Sequence, residues 1–147
     1  MTAFPDINVW LALLLADHTH RRTALDWRDN GEADSIAFCR ITQPGVLRLL
    51  TTPAAMNGKP LTMNAAWKAH ERLYQDARVV FLAEPVSLEE PLRRLASGGA
   101  ASSSKNRWAG KLRANACLTA FASRSGATLV TCDRALASRS DGSLLLE

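Results

Sequence analysis

A chain of 147 residues, 47% apolar and 22% charged, is long enough to bury about two-thirds of its unfolded surface in one core. Its formal charge of +4 fits a polyanionic partner without requiring one. The composition excludes a disordered or collagen-like chain, and a longest apolar run of residues 9–16 is too short to span a bilayer. The N-terminus lacks the basic start and cleavage pattern of a signal peptide, so a cytoplasmic protein is expected. Three cysteines, Cys39, Cys117 and Cys132, are odd in number and widely spaced. They indicate neither a disulfide framework nor a zinc site and read as small core residues.

In chain order, residues 3–5 form a first strand that finishes in Asp6, and residues 8–16 follow as a buried helix. Residues 18–30 read as a second helix with Ala24 and Trp27 inward, stopped by Gly31. A strand over 35–38 precedes a helix over 42–50, where Pro44 is tolerated in the first turn. Thr62 is placed to cap a helix over 63–76. Residues 79–82 are a β-branched strand, and Ser87 begins a short helix through 95. The low-complexity stretch 97–106 reads as a surface loop within a single domain spanning 1–147. A helix over 111–125 is closed by Gly126; a strand over 128–131 leads to Asp133, a helical turn at 134–138, and an edge strand at 144–146. Strands alternating with helices predict an α/β three-layer sandwich: a mainly parallel sheet of four to five strands covered on both faces.

Asp6 and Asp133 stand out because each ends an apolar strand. On parallel strands both would reach the C-terminal edge of the sheet, where open α/β sheets hold ligands. Helix capping is the plain alternative for each, although Asn8 could cap the first helix in place of Asp6. Asn115 shares a helical face with Leu118 and Ala122 and is expected to point inward, near where the strand over 128–131 emerges. An oxygen-only set of this kind suits Mg²⁺ or Mn²⁺. The histidines form no ligand set: His18 and His20 are two apart, and His70 is read on a polar helix face. From Arg93 to Arg113 six basic residues (Arg93, Arg94, Lys105, Arg107, Lys111, Arg113) occur without an acidic one. That run reads equally as a solvated face or as a phosphate contact. Trp108 beside it is a minor candidate for base stacking.

Three segments carry a resemblance: FPDINVWLALLLADHTHRRTALDW, AFCRITQPGVLRLLTTP and NACLTAFASRSGATLVTCDRALA. In this order and spacing the chain resembles the PIN-domain nucleases, and within them the VapC-type toxins of toxin–antitoxin pairs. The resemblance implies a PIN-like sandwich and an Mg²⁺- or Mn²⁺-dependent endoribonuclease. It also implies a homodimer, with RNA as substrate and a cognate antitoxin as partner. Asp6 matches the family's first metal-binding acid and Asn8 its companion; Asp133 matches the fourth acid, with Thr131 the hydroxyl residue before it. Asn115 falls where the third acid usually stands. The second acid has no counterpart, since its helix offers Thr42, Gln43 and Arg48 but no carboxylate. Arg107, Lys111 and Arg113 are the expected phosphate contacts, with Arg48 and Thr52 weaker candidates. Two non-acidic positions predict weakened activity, and a silent PIN module that binds RNA or an antitoxin without cleaving is the alternative. A flavodoxin-like phosphoryl acceptor also uses strand-end aspartates, but no lysine follows a late strand near Asp133.

Overall fold

Five strands form one parallel sheet in the order β3-β2-β1-β4-β5. This computed structural model describes residues 1–97 and 109–147, and side chains outside 95–112. The chain runs β1 (Thr2–Pro5), α1 (Ile7–Leu14), α2 (Arg21–Asn30), β2 (Ser35–Cys39), α3 (Thr42–Leu50) and α4 (Met63–Leu73). It continues through β3 (Val79–Leu82), α5 (Glu89–Ser97), α6 (Ala109–Ser125), β4 (Thr128–Thr131), α7 (Arg134–Ala137) and β5 (Leu144–Leu145). No helix among the described residues is long and apolar enough to cross a membrane.

Because side chains alternate across a strand, each strand feeds two cores. Ala3, Ile36, Phe38, Val79 and Val130 face α1 to α4, meeting Val9, Trp10, Val46, Leu50, Ala66 and Ala69. Phe4, Ala37, Cys39 and Leu129 face the other way, onto Leu118, Phe121 and Ala122 of α6 and Leu136 of α7. Ring stacking marks both layers, with Trp10 on Phe38 at 3.7 Å between centroids and Phe4 on Phe121 at 5.0 Å. Two covered faces explain why the strands read as continuous apolar runs rather than as alternating ones.

Strand β1 lies at the centre, with β2 on one side and β4 on the other. The order therefore reverses between β1 and β4, and the crevice at their C-terminal ends is the sheet's topological switch point. Pro5 ends β1 without an N–H to give, and Asp6 continues the ladder by donating its N–H to the Val130 carbonyl at 2.9 Å. At the far end of α6, Gly126 adopts φ +64° and the Ala127 N–H reaches back to the Ala122 carbonyl at 2.9 Å, a left-handed helix stop.

Several expectations need correcting. Helix α2 starts at Arg21, not at residue 18, because the His18 ring accepts the His20 N–H at 3.2 Å and holds that stretch as a turn. Helix α5 starts at Glu89 because Ser87 adopts φ +64°, which no right-handed helix admits. Helices α1 and α4 end at Leu14 and Leu73, earlier than their sequence patterns indicate. His70 does not lie on a polar face. It is 2% exposed and packs among Phe38, Trp67 and Tyr74, with centroid distances of 4.7, 5.5 and 5.4 Å. The predicted surface loop falls largely outside the described residues.

Candidate functional site

Both strand-end aspartates cap the helices that follow them. Asp6 is 3% exposed; its Oδ1 accepts the Val9 N–H at 2.8 Å, which makes it the N-cap of α1. Asn8 does not take the capping role, and its side chain is exposed in the first turn of that helix. Asp133 caps α7, its Oδ1 accepting the N–H groups of Ala135 at 2.8 Å and Leu136 at 3.2 Å.

Thr131 joins the two. Its hydroxyl donates to Asp6 Oδ2 at 2.5 Å and accepts the Asp133 N–H at 2.9 Å. The register that pairs Phe4 with Leu129 and Pro5 with Val130 sets this contact, by bringing the ends of β1 and β4 level. Burial raises the Asp6 carboxyl above its ordinary value, and the Asp133 charge adds to the effect. The Thr131 hydroxyl and the N–H groups of Val9 and Asn8 act in the opposite direction. Asp6 is thus a desolvated acid held beside a second acid, an arrangement common at functional sites.

The remaining predicted positions are placed less closely. Asn115 is half-buried on α6, on the side of Leu118 and Ala122, and no side-chain hydrogen bond ties it to either aspartate among the described residues. Arg48 is exposed in the last turn of α3, and its carbonyl accepts the Thr52 hydroxyl at 2.7 Å. Neither side chain makes a hydrogen bond to the carboxylates among the described residues. Arg113 is exposed on α6, Lys111 is placed there by its backbone, and Arg107 and Trp108 lie outside the described residues.

Residues that sequence reasoning passed over complete the surroundings. An open pocket of about 520 Å³ is lined by Asn8, His18, Thr19, His20, Cys132, Asp133 and Arg134. The spacing of His18 and His20 indicates no ligand set, and it does not reveal that the turn before α2 shares a pocket with the β4–α7 junction. Cys132 is only half-buried and forms part of this wall, unlike the core residue Cys39. Burial and the Asp6 charge push its thiol up to about 11, so it stays protonated near neutral pH.

No protein-family model matches the chain. Over 135 residues it is 39% identical to ribonuclease VapC41 of Mycobacterium tuberculosis, covering 88% of each chain. The chain belongs to the VapC family of PIN-domain toxins of type II toxin–antitoxin systems. Solved structures share its fold at low identity. VapC20 of M. tuberculosis, a sarcin–ricin loop cleaving toxin, superposes with a TM-score of 0.64 at 16% identity over 94% of both chains. VapBC2 of Rickettsia felis, bound to a promoter DNA fragment, gives 0.65 at 12% identity over 99% of this chain and 97% of its own. FitAcB of Neisseria gonorrhoeae gives 0.56 at 20% identity, over 99% and 96%.

Within this VapC chain the donor chemistry admits a hard cation. Asp6 and Asp133 offer carboxylate oxygens, with the Thr131 hydroxyl between them. No group of three His, Cys, Asp or Glu side chains among the described residues could enclose a metal. Two carboxylates match the way Mg²⁺ is often bound, through one or two acids with water and substrate phosphate completing the shell.

Proposed function

We propose that this chain is an endoribonuclease dependent on Mg²⁺ or Mn²⁺, the toxin of its pair, with activity weakened by Asn115. The observation that carries the reading is the Asp6–Thr131–Asp133 constellation at the switch point between β1 and β4. Asp6 and Asp133 are the residues that would hold the ion, which would supply positive charge to a phosphate and acidify water at the site. Thr131 fixes the Asp6 carboxylate relative to the Asp133 backbone, so the two acids keep one mutual orientation. Asn8 supports Asp6 through its backbone N–H. Asn115 contributes an amide where a third carboxylate would add charge to the ligand set. Arg113, Lys111 and Arg107 are proposed to meet flanking phosphates. An RNA substrate, a homodimer and a cognate antitoxin complete the reading, supported by membership in the family.

The second reading is a silent PIN module that binds RNA or the antitoxin. It is favoured by the want of a three-acid cluster among the described residues. RNA cleavage by the parent and by Asn115→Asp, each with Mg²⁺ and with Mn²⁺, separates the two. The ribonuclease reading expects slow cleavage that rises at least about tenfold in the aspartate form, the effect of roughly 1.4 kcal/mol at the transition state. No cleavage of any RNA by either form with either metal would leave only the silent module.

A further inference from the structure

We infer that the pocket between the α1–α2 turn and the β4–α7 junction is a nucleotide subsite, in which His18, His20 and Arg134 hold a backbone phosphate of single-stranded RNA beside the bond to be cut. The inference rests on the proposed ribonuclease reading and adds to it the place where the substrate strand lies. Four observations carry it. The pocket's volume, about 520 Å³, falls in the range of roughly 300–1,000 Å³ typical of small-ligand sites. One of its walls is Asp133, so whatever fills it touches the candidate site.

Its other walls are rich in donors. Asn8, His18, Thr19, His20 and Arg134 all present N–H or O–H groups, and phosphate and ribose oxygens accept them. The His18 ring spends its Nδ1 on the His20 N–H at 3.2 Å, which leaves Nε2–H as its donor. The two imidazole centroids are 6.0 Å apart and tilted by 46°, near enough for one phosphate group to accept from both. Arg134 pairs with Glu147 at 3.0 Å, but both side chains are largely exposed, so a phosphate can displace the carboxylate.

The lining also argues against a soft metal as occupant. The pocket holds two histidines, a cysteine and an aspartate, yet no three such groups among the described residues have metal-binding geometry. The start of α2, which no side chain caps, lies directly after the three pocket residues and favours an anion there.

The test uses the three histidines as reporters. In metal-free buffer at fixed pH, the imidazole Cε1–H resonances are followed while a ten-nucleotide single-stranded RNA is added. His18 and His20 are expected to shift, whereas His70, enclosed among Phe38, Trp67 and Tyr74, stays still and serves as an internal control. RNA affinity is then measured for His20→Ala and Arg134→Ala, each expected to weaken binding by about tenfold. His20→Gln, which keeps a donor, is expected to recover most of the loss. In the Asn115→Asp background the same changes should appear mainly in KM rather than in kcat.

RNA that binds without moving His18 or His20 overturns the subsite, as do variants that bind like the parent. If Asn115→Asp cleaves while both histidines stay silent, the subsite fails and the ribonuclease reading stands. If the histidines respond but neither form cleaves, the subsite stands and the ribonuclease reading fails.

Discussion

The surroundings of Asp6 disfavour its charge. Burial and the neighbouring Asp133 raise its carboxyl above the ordinary 3.8, so the folded protein holds that proton more tightly than the unfolded chain does. The sign of the linkage follows. Asp6 favours folding most when protonated, and that contribution is lost as pH rises from about 3.8 through the higher folded value. Above that value the ionised side chain works against the fold rather than for it. Asn is as good an N-cap as Asp and brings no charge. In metal-free buffer at pH 7, Asp6→Asn is therefore expected to melt at or above the parent's temperature, and with Mg²⁺ supplied it is expected to lose RNA cleavage. The advantage should shrink as pH falls towards 4. A thermal melt series on both proteins checks this, and an Asp6→Asn protein markedly less stable at pH 7 would contradict it. Thr131 limits the gain, because its hydroxyl has an anion to donate to only in the parent.

At the scale of elements, α4 shows how tertiary packing overrides a local pattern. His70 stands among Lys68, Glu71 and Arg72, which reads as a solvated face, yet the ring is enclosed by Phe38, Trp67 and Tyr74. Gln43 Nε2 lies 3.5 Å from His70 Nε2. Burial holds this imidazole below its ordinary 6.5, so the unfolded chain takes up the proton more readily than the folded one. Stability is full above about 6.5 and falls as pH drops from there towards the lowered folded value. His18 is shifted in the same direction and contributes with the same sign. His70→Phe, which suits an aromatic cluster, is expected to flatten most of the stability change between pH 7.5 and 5.5 in urea titrations. An unchanged pH dependence would mean that the ring is not held neutral by the fold.

The strands at 79–82 and 128–131, the helix at 42–50 and the cap at Thr62 were legible because local chemistry and packing agree there. The starts of α2 and α5 were not. One depends on a ring nitrogen taking a backbone N–H, and the other on a serine in the left-handed region. In the candidate site, Asp6 and Asp133 could be read because each follows a strand end, whereas Thr131 came only with the family resemblance. The pocket could not, since its residues come from two loops whose approach no periodicity encodes.

For the whole molecule, the switch point between β1 and β4 decides what a cation can do. An ion that binds only the folded form raises stability by mass action, about 2.7 kcal/mol at a concentration one hundred times its Kd. In a chain of this size roughly 2–4 °C in Tm accompanies each kcal/mol. Asn115→Asp is expected to gain several degrees on addition of Mg²⁺, and the parent distinctly less. Equal shifts in the two proteins would remove position 115 from the ligand set. The bond between Thr131 and Asp6 also spans 125 positions of sequence. On a ribosome, Asp6 emerges early and finds its partner only after β4 has been synthesised and has docked beside β1. A site built this way does not exist for nearly the whole time the chain is being made, and comes together only as the last strands fall into place.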